Sequence, residues 1–107
     1  MTTYQAVLRV GDLELHELSR RVLLHGVPVR FTEFEFYTLW VLAKGASLIV
    51  SREELREAVG ECYRPLYDRA VDMTISKIRR KLGDDARNPE RIMTVRGEGY
   101  MLIPKEA

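Results

Sequence analysis

The period of the hydrophobic pattern changes at Thr32, and that change limits the fold more than any other feature of the chain. Before it, residues 4–31 alternate. Ala6-Val7-Leu8-Arg9-Val10 meets Gly11-Asp12, and Leu13-Glu14-Leu15-His16-Glu17-Leu18 follows. Arg21-Val22-Leu23-Leu24-His25 meets Gly26, and Val27-Pro28-Val29-Arg30-Phe31 completes the set. Short alternating runs with Gly-bearing turns predict an antiparallel meander of about four strands. Pro28 has no N–H to give a ladder, which places it on an edge or at a strand start. From Thr32 the spacing becomes helical. Thr32-Glu33-Phe34-Glu35 has the form of a capping box, Thr at the N-cap and Glu three residues on. Phe36, Leu39, Trp40 and Ala43 follow on one face, and Gly45 ends the run. Trp40 reads as a core residue rather than a platform for a base. The pattern therefore predicts an α+β fold with its sheet first and its helices after.

The helical part continues in two more segments. Leu48-Ile49-Val50 is a short extended piece. Ser51-Arg52-Glu53-Glu54 repeats the capping box and opens a helix through Leu55, Ala58 and Val59. Gly60–Tyr67 contains Gly60 and Pro65 and reads as a loop, long for a helix–helix connection. A third helix spans Arg69–Leu82, with Asp68 at its N-cap and Gly83 just past its end. At 100° per residue Val71, Ile75, Ile78 and Leu82 form one narrow apolar stripe. Arg69, Met73, Ser76 and Arg80 fall opposite, with Lys77 beside them. Such a rod is roughly 22 Å long and fits a major groove, apolar side inward and basic side toward bases and phosphates. Many surface helices carry lysine and arginine without binding anything, so the neighbouring segments matter.

Those segments form a polar loop, Gly83–Pro89, and then a hairpin. Arg91-Ile92-Met93-Thr94-Val95-Arg96 alternates, Gly97-Glu98-Gly99 turns, and Tyr100-Met101-Leu102-Ile103 returns. Arg96 stands at the strand–turn junction, where an arginine on a thin tip can enter a minor groove. The order of strands, three helices and hairpin is that of a helix-turn-helix with a wing.

Composition narrows the function classes. The 107 residues carry a net charge of only +1, but the charge is uneven. Residues 33–61 hold three basic and six acidic side chains, whereas residues 64–105 hold ten basic and six acidic. Binding depends on the local field, so the basic C-terminal half outweighs the balanced total. Cys62 is the single cysteine, which excludes an internal disulfide and a cysteine-rich zinc site and fits a reducing, cytoplasmic compartment. Met1-Thr2-Thr3-Tyr4 lacks the pattern of a secretory signal, and no apolar run approaches the roughly 18–20 residues that span a bilayer. His16 and His25 lack companions at ligand spacing and read as strand residues, so no metal is expected. No nucleophile–base pair, carboxylate pair or phosphate-cradling loop points to an enzyme or a cofactor. Gly97-x-Gly99 lies on a hairpin, which is no nucleotide fingerprint.

Three stretches resemble the DNA-binding effector domain of OmpR/PhoB-type response regulators. Phe31-Thr32-Glu33-Phe34-Glu35-Phe36 is similar to that family's L-T-x-x-E-F helix entry. Asp68-Arg69-Ala70-Val71-Asp72, with Ile75, Ile78, Arg79 and Arg80, is similar to its R-x-V-D-x-x-I-x-x-L-R-K recognition helix. Thr94-Val95-Arg96-Gly97-Glu98-Gly99-Tyr100 is similar to its T-V-R-G-x-G-Y wing. The resemblance runs from about Val7 to Ile103 in the right order. It implies one winged-helix domain over 1–107: an N-terminal four-stranded sheet (4–31), a three-helix core (32–82) and a wing hairpin (91–104). It further implies sequence-specific binding of double-stranded DNA as the output of a two-component transcription factor.

Carried over position by position, the resemblance implies these roles. Arg69 meets phosphate at the groove edge. Met73 touches a base or thymine methyl, with Thr74 next to it. Lys77 contacts base or phosphate, and Arg79 and Arg80 neutralise phosphates. Arg96 enters the minor groove, and Thr94 of the same motif joins the DNA-binding set. Gly60–Tyr67 matches the segment that meets RNA polymerase, and tandem half-sites are a family expectation. No receiver domain is present, so the chain reads as an effector module whose receiver domain lies in a full-length regulator. Ala70 stands where the family has Thr, Ser76-Lys77 replaces a more basic pair, and Ala58-Val59-Gly60 lacks the family's Trp. The rival expectation is a winged-helix module that binds a protein and has no DNA specificity.

Overall fold

A computed structural model describes residues 6–64 and 67–105. Tyr4 and Gln5 of the alternating segment, and Pro65 and Leu66 of the predicted loop, lie outside the described residues.

Four short strands come first: β1 (Val7–Val10), β2 (Leu13–His16), β3 (Arg21–Leu24) and β4 (Val27–Val29). They pair antiparallel in the order β1-β2-β3-β4. The register sets Leu8 opposite Leu15 and Leu15 opposite Val22, so alternate residues share the inward face. Val10, Leu13, Leu15 and Val22 are buried there. Pro28 sits in the last strand, as its missing N–H requires. His25 is not a strand residue. It lies in the β3–β4 turn with φ of 54°, and its Nε2 stands 2.8 Å from an Asp12 carboxylate oxygen.

Helix α1 (Glu33–Lys44) starts in the predicted capping box. Thr32 Oγ1 accepts from the Glu35 N–H, while the Glu35 carboxylate accepts from the Thr32 N–H. Phe36, Leu39, Trp40 and Leu42 are buried, with Phe36 stacked on Trp40 at 5.9 Å. Helix α2 (Arg52–Cys62) opens on the Ser51 box and runs three residues beyond the expected end. Gly60 is therefore helical and the connector is shorter than Gly60–Tyr67. A glycine costs about 1 kcal/mol inside a helix. Fully buried Val59 and the Tyr63 N–H bond to the Val59 carbonyl offset that cost.

Helix α3 (Asp68–Leu82) begins one residue earlier than expected. Tyr67, not Asp68, is the N-cap, because the Tyr67 carbonyl accepts the first intrahelical bond, from the Val71 N–H. Gly83 closes the helix at φ of 70°, the left-handed conformation a C-terminal glycine supplies. Strands β5 (Ile92–Val95) and β6 (Gly99–Leu102) form the hairpin. It gains a third backbone partner that the alternation did not reveal. Val50 and Tyr100 exchange N–H···O bonds of 2.8 and 2.9 Å. Gly99 is required there, since a Cβ would lie 2.1 Å from the Val50 carbonyl oxygen. The result is a winged helix: a four-stranded sheet, three helices and a C-terminal hairpin.

Candidate nucleic-acid interface

Helix α3 has four sides, and the 100° rotation per residue assigns them. The core side carries Val71, Ile75, Ile78 and Leu82, all buried. Burying each contributes roughly 1.5–3 kcal/mol, which seats the rod on α1 and α2. The outer side carries Arg69, Met73, Ser76, Lys77 and Arg80, all exposed, with Met73 54% exposed. Arg69, Lys77 and Arg80 make no ion pair with any described residue. The outer side is thus a free cationic surface with one apolar side chain in its middle. Thr74 lies at its edge, half-buried, where α3 turns toward α1. Thr74, Met73 and Lys77 also line a cleft of about 600 Å³ between α3, Tyr63 and the start of α1.

The two flanks hold α3 to its neighbours. Toward α1, Lys81 pairs with Glu35, whose side chain is only 4% exposed, and lies over the Phe31 ring. Burial pushes the Glu35 carboxyl up, but hydrogen bonds from Lys81 and the Thr32 N–H outweigh it and leave it below the usual range. Toward the hairpin stand Asp72 and Arg79, seven residues and about two turns apart. Arg79 is expected among the phosphate-neutralising cations, and its position corrects that expectation. The residue is 7% exposed. Its Nε and Nη2 donate to the Ile92 carbonyl at 3.1 and 2.7 Å, and Nη2 also donates to Thr94 Oγ1 at 2.7 Å. The reason is rotational: position 79 faces β5, whereas position 80 faces outward. Thr94 is exposed on the hairpin, but its hydroxyl already accepts from Arg79.

Asp72, Tyr100 and Arg52 complete the join. Tyr100 Oη and Arg52 Nε both donate to Asp72 Oδ1, the latter at 2.8 Å. Burial raises Asp72, but the bonds from Tyr100 and Arg52 outweigh it and hold the carboxyl below its ordinary range. Burial, and then the bond to Asp72, push the Tyr100 hydroxyl up. Sequence reasoning missed this set as a unit, although Asp72 and Arg79 at i and i+7 share a helix side. Arg96 follows Thr94 by two residues, about 7 Å along the strand, at the exposed tip beside Gly97 and Glu98. It too makes no ion pair with a described residue.

A half-exposed basic helix joined along one flank to a projecting hairpin defines the winged-helix class of regulatory domain. The comparisons agree and narrow the class. Residues 26–102 match the family described as "Transcriptional regulatory protein, C terminal". The transcriptional regulatory protein RstA of Escherichia coli K12 is 39% identical over 105 residues, which are 97% of this chain and 43% of RstA. CpxR of the same strain is 37% identical over 97 residues, 90% of this chain and 41% of CpxR. The DNA-binding domain of Klebsiella pneumoniae RstA, solved in complex with the RstA box, superposes with a TM-score of 0.81 at 36% identity. That alignment covers 92% of this chain and 97% of the other. The DNA-binding domain of E. coli CpxR gives a TM-score of 0.76 at 34% identity, over 92% and 96% of the two chains. The chain belongs to the transcriptional regulatory protein C-terminal family, and its relatives are OmpR/PhoB-type response regulators. It spans less than half the length of these curated relatives.

Proposed function

We propose that the chain is the sequence-reading output domain of a two-component transcription factor, acting on double-stranded DNA. One observation carries this reading: Arg69, Lys77 and Arg80, with no ion-pair partner among the described residues, flank exposed Met73 on a single side of α3, next to the tip that bears Arg96. Helix α3 enters the major groove, which admits a rod about 10–12 Å across. Met73, Thr74 and Lys77 discriminate bases there, and Arg69 and Arg80 set position through phosphates. Arg96 and the exposed face of Thr94 engage the adjacent minor groove. No catalytic step is assigned.

The 1–107 chain acts as one domain in the cytoplasm, and its regulatory partner is a receiver domain in the full-length regulator. The segment Gly60–Tyr67 is offered to RNA polymerase; in support, Tyr63 is 41% and Tyr67 82% exposed. Selection of bound duplexes from a random pool tests the reading. A single motif repeated at one spacing is expected, as tandem half-sites require. A pool that stays random, with a protein partner captured instead, would establish the interaction module.

A further inference from the structure

The outer side of α3 and the wing tip reach a duplex together only if the angle between them is held, and the hairpin's root shows how. Arg79 grips β5 at two points, the Ile92 carbonyl and the Thr94 hydroxyl, with three hydrogen bonds from one planar fork. Its guanidinium also lies 5.7 Å from the Tyr100 ring centre, and Arg52 lies 5.5 Å from the same ring. The Tyr100 hydroxyl reaches back to Asp72, one flank position earlier on α3, while its backbone is paired to Val50. The root of the hairpin is thereby held at the Ile92–Leu102 pair, through Ile92, and at both members of the Thr94–Tyr100 pair. The exposed tip, Arg96-Gly97-Glu98, projects beyond that root.

We propose that Arg79, with Asp72 and Tyr100, is a positioning residue: it clasps the wing to α3 so that Arg96 and the outer side of the helix engage DNA as one rigid unit. The proposal rests on the DNA-binding reading above. A buried guanidinium whose acceptors are a carbonyl, a hydroxyl and a ring face is a poor source of stability, since apolar residues of similar volume often hold a core as well. What it supplies is direction, because a planar fork fixes both distance and angle. Rigid linkage lets the second contact form at high effective concentration once the first has formed.

The test is a double-mutant cycle in which duplex affinity is measured per folded molecule of the 107-residue chain. In the wild type, Arg96→Ala should weaken binding about tenfold. In an Arg79→Met background the same change should cost about twofold or less, because the wing is no longer aimed. Arg79→Lys should behave like Arg79→Met, since an ammonium keeps the charge but not the fork. Tyr100→Phe removes one hydroxyl alone and should lower the coupling part of the way, which keeps the test open if Arg79→Met does not fold. An Arg96→Ala cost that is the same in every background, or absent from the wild type, overturns the clasp. So does restoration of full coupling by Arg79→Lys. Failure of the wild type to select any duplex is a different result: it removes the functional reading, and the clasp with it.

Discussion

Arg79 and Arg80 are neighbours with the same side chain, yet the flank of α3 under the hairpin and its side open to solvent use them in opposite ways. On the flank, each polar group has an assigned partner: Arg79 with Ile92 and Thr94, Asp72 with Tyr100 and Arg52. On the open side, Arg69, Lys77 and Arg80 have none among the described residues. The same division recurs elsewhere. Arg91 is buried and forms a two-pronged pair with Asp12 at 2.6 and 2.9 Å, tying the hairpin to the first sheet. Arg96, five residues on, is exposed. Charge count alone therefore overstates the binding surface. A cation that already holds the fold together is not available to a phosphate.

That division predicts stability effects on one side and binding effects on the other. The largest effect belongs to Arg91→Ala. It leaves the Asp12 carboxylate, whose side chain is 3% exposed, with His25 in place of its two-pronged partner, and should cost up to about 3–5 kcal/mol in urea unfolding while leaving affinity per folded molecule unchanged. An intact unfolding curve would show that the pair is dispensable and would break the comparison.

The same pair sets an acid limit. The hydrogen bond from Arg91 holds Asp12 below its usual range, and the charges of Arg91 and His25 add to this. A carboxyl depressed on folding stabilises the fold above about pH 4 and loses that contribution as pH falls through its folded-state value. Asp72 and Glu35 shift in the same direction. Stability should therefore fall on acidification below about pH 4. Arg91→Ala should flatten the part due to Asp12, read as the pH dependence of thermal unfolding.

On the open side, Lys77→Ala should weaken binding to the selected duplex by about 1–3 kcal/mol with no change in melting temperature. Arg80→Ala should flatten the salt dependence of affinity by nearly one unit of log–log slope, about 0.9, across all sequences alike. A drop in melting temperature for either would place that side chain among the structural cations. Smaller still, Thr32→Ala should remove about 1 kcal/mol of stability through the lost cap and leave DNA binding alone. Arg9→Ala, which breaks an exposed pair with Glu14, should cost only a few tenths of a kcal/mol in the same assay.

The elements that follow from local chemistry were legible in the chain. Alternation gave the four strands, Thr32 and Ser51 marked two helix starts, and Gly83 marked a helix end. Sequence reasoning failed where a distant neighbour decides. Gly60 looks like a breaker until Val59 is seen buried against the core. Asp68 looks like a cap until the Tyr67 carbonyl is seen taking the first helical bond. Val50 gives no sign that it will pair with a strand fifty residues away.

By itself, then, the order of residues determined which segments are strands and helices and which stripe of α3 is apolar, because those depend on spacing within a few residues. Which arginines face a duplex and which face the protein was decided by tertiary structure alone. One 100° step along α3 separates Arg79 from Arg80, and only the placement of β5 beside that step makes one a brace and leaves the other exposed.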